Sequence, residues 1–223
     1  MERRVGAGAG IRYKAGMGDY LVSALVTLLV VVDPIGLTPT FLAVTEGLPA
    51  SARGQIAARA CLIAAAVLAG TALIGDWLLR ELAITLPAFR IAGGLMLFAV
   101  ASEMVFGVRH ERQSRLAEEA IEEHVLHVAA FPLAIPLMAG PGAITATLLL
   151  AGQAHAQPLL LAGLLGVVAV VIATCFGAFL AAGRIARLLG VTGNDVLSRL
   201  LGVLLAALAV QFVIDGVRAV LQG

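Results

Sequence analysis

Long apolar runs alternate with short polar connections along most of the chain. Each run is close to the length of about 20 residues that an α-helix needs to cross roughly 30 Å of hydrocarbon. A backbone exposed to lipid must satisfy its own hydrogen bonds, so each run predicts a transmembrane helix. Six such helices are predicted, over residues 20–45, 56–79, 88–107, 128–153, 158–182 and 197–216.

The composition indicates a membrane protein and excludes several other classes. Of the 223 residues, 61% are hydrophobic and 13% are charged, and the mean hydropathy is +1.01. The connections are too short for a soluble domain, so the helical bundle itself must carry the function, and an enzyme is not expected. The net charge of +1 gives no reason to expect a nucleic-acid partner. Cys61 and Cys175 lie inside predicted helices without metal-ligand spacing, so neither a metal nor a cofactor is expected.

The second half of the chain repeats features of the first. At an offset of 107 residues, "DPIGLTPTF" lies over "GPGAITATL", which aligns Pro34, Thr38 and Thr40 with Pro141, Thr145 and Thr147. At an offset of 109, "RIAGGLMLFAVASEMVFG" lies over "RLLGVLLAALAVQFVIDG". The alignment divides the chain into a disordered extension (1–16), a first three-helix repeat (17–107), a polar linker helix (108–125) and a second three-helix repeat (126–223).

An odd number of helices in each repeat has a topological consequence. The second copy must enter the membrane from the opposite side, so the predicted fold is an all-α polytopic membrane protein built from two inverted three-helix repeats. Arginines near the helix ends favour both termini outside when the basic extension is left out, with Met17 as a candidate start of translation. Inverted repeats with interrupted helices are typical of secondary transporters.

The first and fourth predicted helices are interrupted at corresponding positions. Proline removes a backbone donor and clashes with the preceding turn, and lipid cannot satisfy the carbonyls that this frees. The breakers in the first helix are Pro34, Gly36 and Pro39, and those in the fourth are Pro132, Pro136, Gly140, Pro141 and Gly142. We expect each helix to unwind for a few residues and to line a cavity with its free backbone groups. Plain kinks with tight packing are the alternative.

Asp33 stands immediately before the first interruption. A carboxylate inside a transmembrane segment is costly, by about 2.5 to 3.5 kcal/mol on insertion scales, and usually has a function. Asp33 is therefore a candidate ligand or proton site, and equally a candidate cap for the half-helix that starts at Pro34. Of the threonines that follow the two interruptions, Thr38 and Thr145 lie nearest to them and are the candidate site residues.

Other polar residues in or near the helices are weaker candidates. Glu103 is a second candidate for proton coupling, although its place near a helix end also suits an interfacial side chain. Ser102 and Gln211 align in the second repeat offset and could face each other. In the linker, Glu119, Glu123 and His127 share a helical face, but a solvated linker is the preferred interpretation over a metal site.

At the segments "VVDPIGLTPTFLAVTEG" and "PLAIPLMAGPGAITATLL", with support from the two glycine-rich segments quoted above, the chain resembles the MarC family of bacterial and archaeal integral membrane proteins. The resemblance covers residue 17 to the end. It implies a six-helix inner-membrane protein grouped with transporters of small neutral amino acids such as glycine and alanine. The site it implies comprises Asp33, Pro34, Gly36, Pro39, Gly140, Pro141, Gly142 and Thr145. Leu37 departs from the family pattern, in which a polar residue is expected.

These observations together predict a secondary transporter that moves small neutral amino acids by alternating access. The partners would be the amino acid, the lipid bilayer and, through Asp33 or Glu103, protons. An exporter or channel for another small solute is an alternative within transport. A structural membrane protein is an alternative of a different class. An intramembrane enzyme is disfavoured, since Asp33 has no second aspartate near it in the predicted helices.

Overall fold

The computed structural model describes residues 16–122, 129–154 and 157–222. The predicted extension (1–16) lies outside this part except for Gly16, and so do Glu123 and His127. The described residues form helices joined by short turns. The helices are α1 (Met17–Val32), α2 (Thr38–Val44), α3 (Ala50–Glu81), α4 (Leu86–Phe106), α5 (Val108–Glu122), α6 (Pro141–Gln153), α7 (Pro158–Leu180) and α8 (Ala182–Gln222). Between α5 and α6 lies an irregular segment, Ala129–Met138, which we call the proline segment.

The first interruption separates α1 from α2. The apolar run of α1 ends at Val32, and Asp33 takes a left-handed backbone conformation with φ of 55°. Few residues other than glycine adopt this conformation, although Asp and Asn tolerate it best. Pro34 follows in a turn that is closed by a hydrogen bond from the amide of Leu37 to the carbonyl of Asp33. The chain then resumes a short helix at Thr38, with Pro39 in its first turn, where no backbone donor is needed.

The second interruption lies between the proline segment and α6. Phe131 and Ile135 are extended, as expected for residues that directly precede a proline, here Pro132 and Pro136. Helix α6 starts at Pro141, directly after an extended Gly140. The axes of the proline segment and α6 differ by 55°. The sequence thus predicts both interruptions at their observed places.

Several of the helices could cross a membrane by length and apolarity. Among the described residues, four helical stretches qualify on their own: Ala50–Gly75, Leu86–Phe106, Pro158–Leu180 and Thr192–Gln222. The proline segment and α6 make a fifth if they are counted as one bent span. The predicted first span corresponds to α1 and α2, and α1 is apolar but has only 16 residues. The structure therefore shows a helical protein with four or five candidate spans, fewer than the predicted six.

Helices α4 and α8 make the most extensive helix contact in the described part of the chain, and glycines allow their backbones to approach. An added Cβ at Gly94 would lie 2.7 Å from the carbonyl oxygen of Ala209. An added Cβ at Gly202 would lie 2.8 Å from the Cβ of Met104. Such close approach through small residues is a common means of helix association in lipid, where apolar surfaces gain little from leaving the solvent. Helix α3 packs against α6 and α7, and α1 packs against the same two helices.

Helix α5 lies against α2, α4 and the proline segment. Its sequence is polar, but Arg109 and Gln113 are buried and Leu116 packs against the core. These positions have the spacing of one helical face. The interpretation of residues 108–125 as a solvated linker is therefore wrong for this face, which closes one side of the bundle beside both interruptions.

Candidate functional site

Asp33 is buried at the first interruption and its carboxylate is held by two donors. Only 2% of the surface of Asp33 is exposed. Oδ1 accepts a hydrogen bond of 3.0 Å from the amide of Gly36, and Oδ2 accepts one of 3.0 Å from the hydroxyl of Ser198 in α8. The first bond stabilises the turn, as the predicted cap would, and the second joins the interruption to a distant helix. Ser198 was not among the predicted site residues.

A glycine is needed at position 36 because the carboxylate of Asp33 lies where a Cβ would be. A Cβ added at Gly36 would overlap the Asp33 side chain, lying 2.6 Å from its Cγ. Pro34 lies between these two residues in the sequence. It is buried, and its ring fixes the backbone of the turn. Asp33, Pro34 and Gly36 therefore act together, since the glycine leaves the space that the carboxylate fills.

Arg109 approaches the first interruption from α5. Its Nη2 donates a hydrogen bond of 2.9 Å to the carbonyl of Val31, one of the carbonyls at the end of α1 that lack a helical partner. The residue is 7% exposed, and Nη1 is buried without a hydrogen-bond partner in the described part of the chain. Burial lowers the pKa of the guanidinium, and the negative charge of Asp33 acts in the opposite direction. Arginine nevertheless stays protonated in proteins, so a positive charge lies beside the interruption.

Arg109 is the residue that the sequence pattern most clearly concealed. It lies one residue after the start of a strongly polar helix, where an arginine is usually solvated. The spacing of Arg109, Gln113 and Leu116 along one face was the available signal, but Leu116 is the one apolar residue among these three.

A cavity of about 240 Å³ lies at the second interruption. The start of α6 and the residues before it contribute Gly140, Pro141, Gly142 and Ala143 to its lining, and α1 contributes Val31. Glu103, Arg109 and Arg112 line it from the end of α4 and the start of α5. The cavity thus combines the positive end of a helix with charged side chains of both signs.

A second cavity, of about 200 Å³, lies between the start of α5 and α8. Gly36 lines it from the first interruption, and Asn194 and Ser198 line it from α8. Arg109 and Gln113 line both this cavity and the one at α6. The side chains of Arg109 and Gln113 therefore border both cavities.

The two predicted threonines make a bond to the adjacent turn and a weak contact to another helix. Thr38 donates to the carbonyl of Ile35 at 2.8 Å. With Pro39, it lines a smaller cavity of about 170 Å³ against α8. The hydroxyl of Thr145 lies 3.9 Å from the sulfur of Met96, a weak contact inside the bundle. Neither threonine lines the cavity at the start of α6, so the structure does not group them with Gly140 and Gly142.

The remaining polar candidates differ in their surroundings. Glu103 lines the cavity at α6, and one of its oxygens pairs with Arg112 at 2.9 Å. Ser102 donates to a carbonyl one turn earlier in α4, and Gln211 donates to Asp215 one turn later in α8. These local bonds occupy the two side chains that were expected to face each other across the bundle. Both side chains therefore have hydrogen-bond partners within their own helices.

Comparison with known proteins identifies the family. The family model described as the MarC family of integral membrane proteins matches residues 18–221. The chain belongs to the MarC family. This match includes both interruptions and the cavity between them.

Curated relatives of the MarC family match over most of their length. The UPF0056 membrane protein of Archaeoglobus fulgidus is 37% identical over 91% of this chain and 94% of its own. The UPF0056 membrane protein YhcE of Escherichia coli is 33% identical over 88% of this chain and 91% of its own. YvbG of Bacillus subtilis, a UPF0056 membrane protein, is 32% identical over 91% of this chain and 96% of its own. These names describe membrane proteins and give no transported substrate. No solved structure matches the chain.

Proposed function

We propose that this MarC-family protein is a secondary transporter of small neutral amino acids that works by alternating access. The observation that carries the proposal is the cavity of about 240 Å³ where the start of α6 meets the end of α1. A zwitterion needs a positive environment for its carboxylate and acceptors for its ammonium group. The first turn of α6 supplies free backbone amides at its positive end, and the interrupted helices supply free carbonyls.

The packing of α4 against α8 supports the inverted repeat that alternating access would use. The two helices are antiparallel, because Gly94 meets Ala209, and Gly202, earlier in α8, meets Met104, later in α4. Helices at equivalent places in two inverted repeats run in opposite directions, so the antiparallel packing of α4 and α8 is what such a repeat requires.

The walls of the cavity favour a compact substrate. A Cβ added at Gly142 would lie 3.2 Å from the side chain of Val100 and 3.3 Å from that of Val31. The start of α6 therefore already packs tightly against two helices, and a bulky substituent there would have to displace them. Glycine and alanine are the amino acids that such a site would accept best.

Proton coupling is part of the proposal, with Asp33 and Glu103 as the candidate groups. Asp33 already accepts two hydrogen bonds, which suits a carboxylate that stabilises the interruption. Glu103 has one oxygen free of protein partners among the described residues and faces the cavity. The proposed location is a bacterial inner membrane, with both termini outside and α5 on the cytoplasmic side, as the arginine distribution favours.

The test is the uptake of labelled glycine and alanine into proteoliposomes, with and without an imposed proton gradient. Wild type is compared with Gly142→Leu, which fills the start of α6, and with Gly166→Leu as a control. Gly166 lies on an exposed part of α7, where an added Cβ meets nothing within 4 Å. We expect saturable uptake by wild type and by the control, and its loss in Gly142→Leu. Folded wild-type protein that takes up neither amino acid under any gradient would contradict the proposal.

A further inference from the structure

Two charged side chains in the cavity at α6 each have one unused position. Nη1 of Arg109 and Oε2 of Glu103 are buried and have no hydrogen-bond partner within residues 16–122, 129–154 and 157–222. Both residues line the same cavity. A buried charged group with an unmet hydrogen bond is costly, so such a group on the lining of a cavity is a position that a polar ligand or a water molecule would satisfy.

A second position of each group is already occupied. Arg109 uses Nη2 to hold the carbonyl of Val31, and Glu103 uses Oε1 to accept from Arg112 at 2.9 Å. The two side chains are therefore held in place by protein contacts, while Nη1 of Arg109 and Oε2 of Glu103 stay without a partner. Such a preorganised pair loses little conformational freedom when a ligand arrives.

The free positions carry opposite charges, which restricts the ligand they can satisfy. An anion would satisfy Arg109 and leave Glu103 unpaired, and a simple cation would do the reverse. A small molecule with both a carboxylate and an ammonium group satisfies both. The amides at the first turn of α6 add to the positive environment on the carboxylate side.

We propose that Arg109 binds the carboxylate and Glu103 binds the ammonium group of a small zwitterionic amino acid in this cavity. This inference rests on the proposed transport function and assigns its charge recognition to α4 and α5, outside the two interrupted helices. Arg109 would then have two roles, because the same guanidinium also holds the end of α1. Substrate binding and the position of the first interruption would be linked through one side chain.

The test is a binding titration of the purified full-length protein by calorimetry, with three probes of similar size. Glycine carries both charges, glycinamide lacks the carboxylate, and propionate lacks the ammonium group. We expect wild type to prefer glycine to both analogues. Arg109→Gln should weaken glycine binding about tenfold or more and abolish the preference for glycine over glycinamide. Glu103→Gln should abolish the preference for glycine over propionate.

Controls separate recognition from folding. Arg184→Gln removes the same charge at an exposed position at the start of α8 and should bind glycine like wild type. Arg109→Lys keeps the charge and should recover part of the preference for glycine over glycinamide. If Arg109→Gln does not yield folded protein, the Glu103→Gln comparison decides, since Glu103 is partly exposed and lies at the end of α4.

The outcomes distinguish this inference from the proposed function. Wild type that binds none of the three probes would overturn both. Wild type that binds glycine, together with folded Arg109→Gln and Glu103→Gln variants that keep the wild-type preferences, would overturn the assignment of these residues and leave the transport proposal standing. Loss of the matching preference in each variant would support the assignment.

Discussion

The contact between Gly36 and Asp33 gives the sharpest prediction for the stability of the first interruption. The substitution Gly36→Ala adds a Cβ that would lie 2.6 Å from Cγ of Asp33 and 3.0 Å from its Oδ1. Real Cβ atoms do not approach so closely, so the carboxylate must move. Gly36 itself has no left-handed conformation, so alanine fits its backbone and the effect comes from this contact alone.

The magnitude follows from the two hydrogen bonds that hold the carboxylate. The amide of Gly36 donates one and the hydroxyl of Ser198 donates the other, each at 3.0 Å to a charged acceptor. Hydrogen bonds to charged groups contribute about 1.5 to 3 kcal/mol each. Loss of both should lower the free energy of unfolding by about 3 to 6 kcal/mol.

A double-mutant cycle isolates this contact. Asp33→Gly removes the carboxylate and accepts the left-handed backbone at position 33. In the Asp33→Gly background, Gly36→Ala should change the free energy of unfolding by less than about 1 kcal/mol, because nothing remains for the new methyl group to displace. The assay is reversible unfolding in mixed micelles, with SDS as the denaturant. Gly166→Ala serves as the control for adding a methyl group where space is open.

Equal costs of Gly36→Ala in the two backgrounds would refute the reasoning. The glycine would then be needed for some reason other than the carboxylate of Asp33, and the turn would not depend on their contact.

Three further predictions concern single contacts in the bundle, each measured as the free energy of unfolding in the same assay. Ser198→Ala should cost about 1.5 to 3 kcal/mol, because the carboxylate of Asp33 loses a donor inside the bundle. Tyr20→Phe should cost about 1 kcal/mol, because the tyrosine hydroxyl donates a buried hydrogen bond of 2.9 Å to the carbonyl of Leu150. Gly202→Val should cost about 1 to 3 kcal/mol, because the added methyl groups push α8 away from α4.

Each of these predictions has an outcome that would contradict it. Unchanged stability in Ser198→Ala, with Asp33→Asn equally neutral, would show that the link between the first interruption and α8 contributes nothing. A neutral Tyr20→Phe would indicate that water replaces the hydroxyl at the end of α6. A Gly202→Val variant as stable as Gly166→Val would show that α4 and α8 do not need a glycine at their crossing.

The positions of the two interruptions were predictable from the sequence, but the side chains that pack around them were not. Prolines and glycines break a helix for local reasons, since they remove donors or favour other backbone conformations, and these effects depend only on the neighbouring residues. The positions of the interruptions beside Asp33 and Gly140 follow directly from these local effects. The irregular backbone at Phe131 and Ile135 follows in the same way from the prolines after them.

The number of spans was less predictable. An apolar run shows that a segment is compatible with lipid but does not show whether its two halves form one continuous crossing. The run over residues 20–45 became a helix of 16 residues followed by a short one, so hydropathy alone overestimated its helical length.

The sequence by itself determined that this protein is helical and membrane-embedded, that it belongs to the MarC family, and that two of its apolar runs are interrupted. These properties depend on composition and on interactions within a few residues. The tertiary structure alone decided which polar groups surround the interruptions. Arg109 and Val31 are 78 positions apart, and Ser198 and Asp33 are 165 apart. Whether a polar side chain on a helix is solvated or buried depends on the helices packed against it, and no local pattern contains that information.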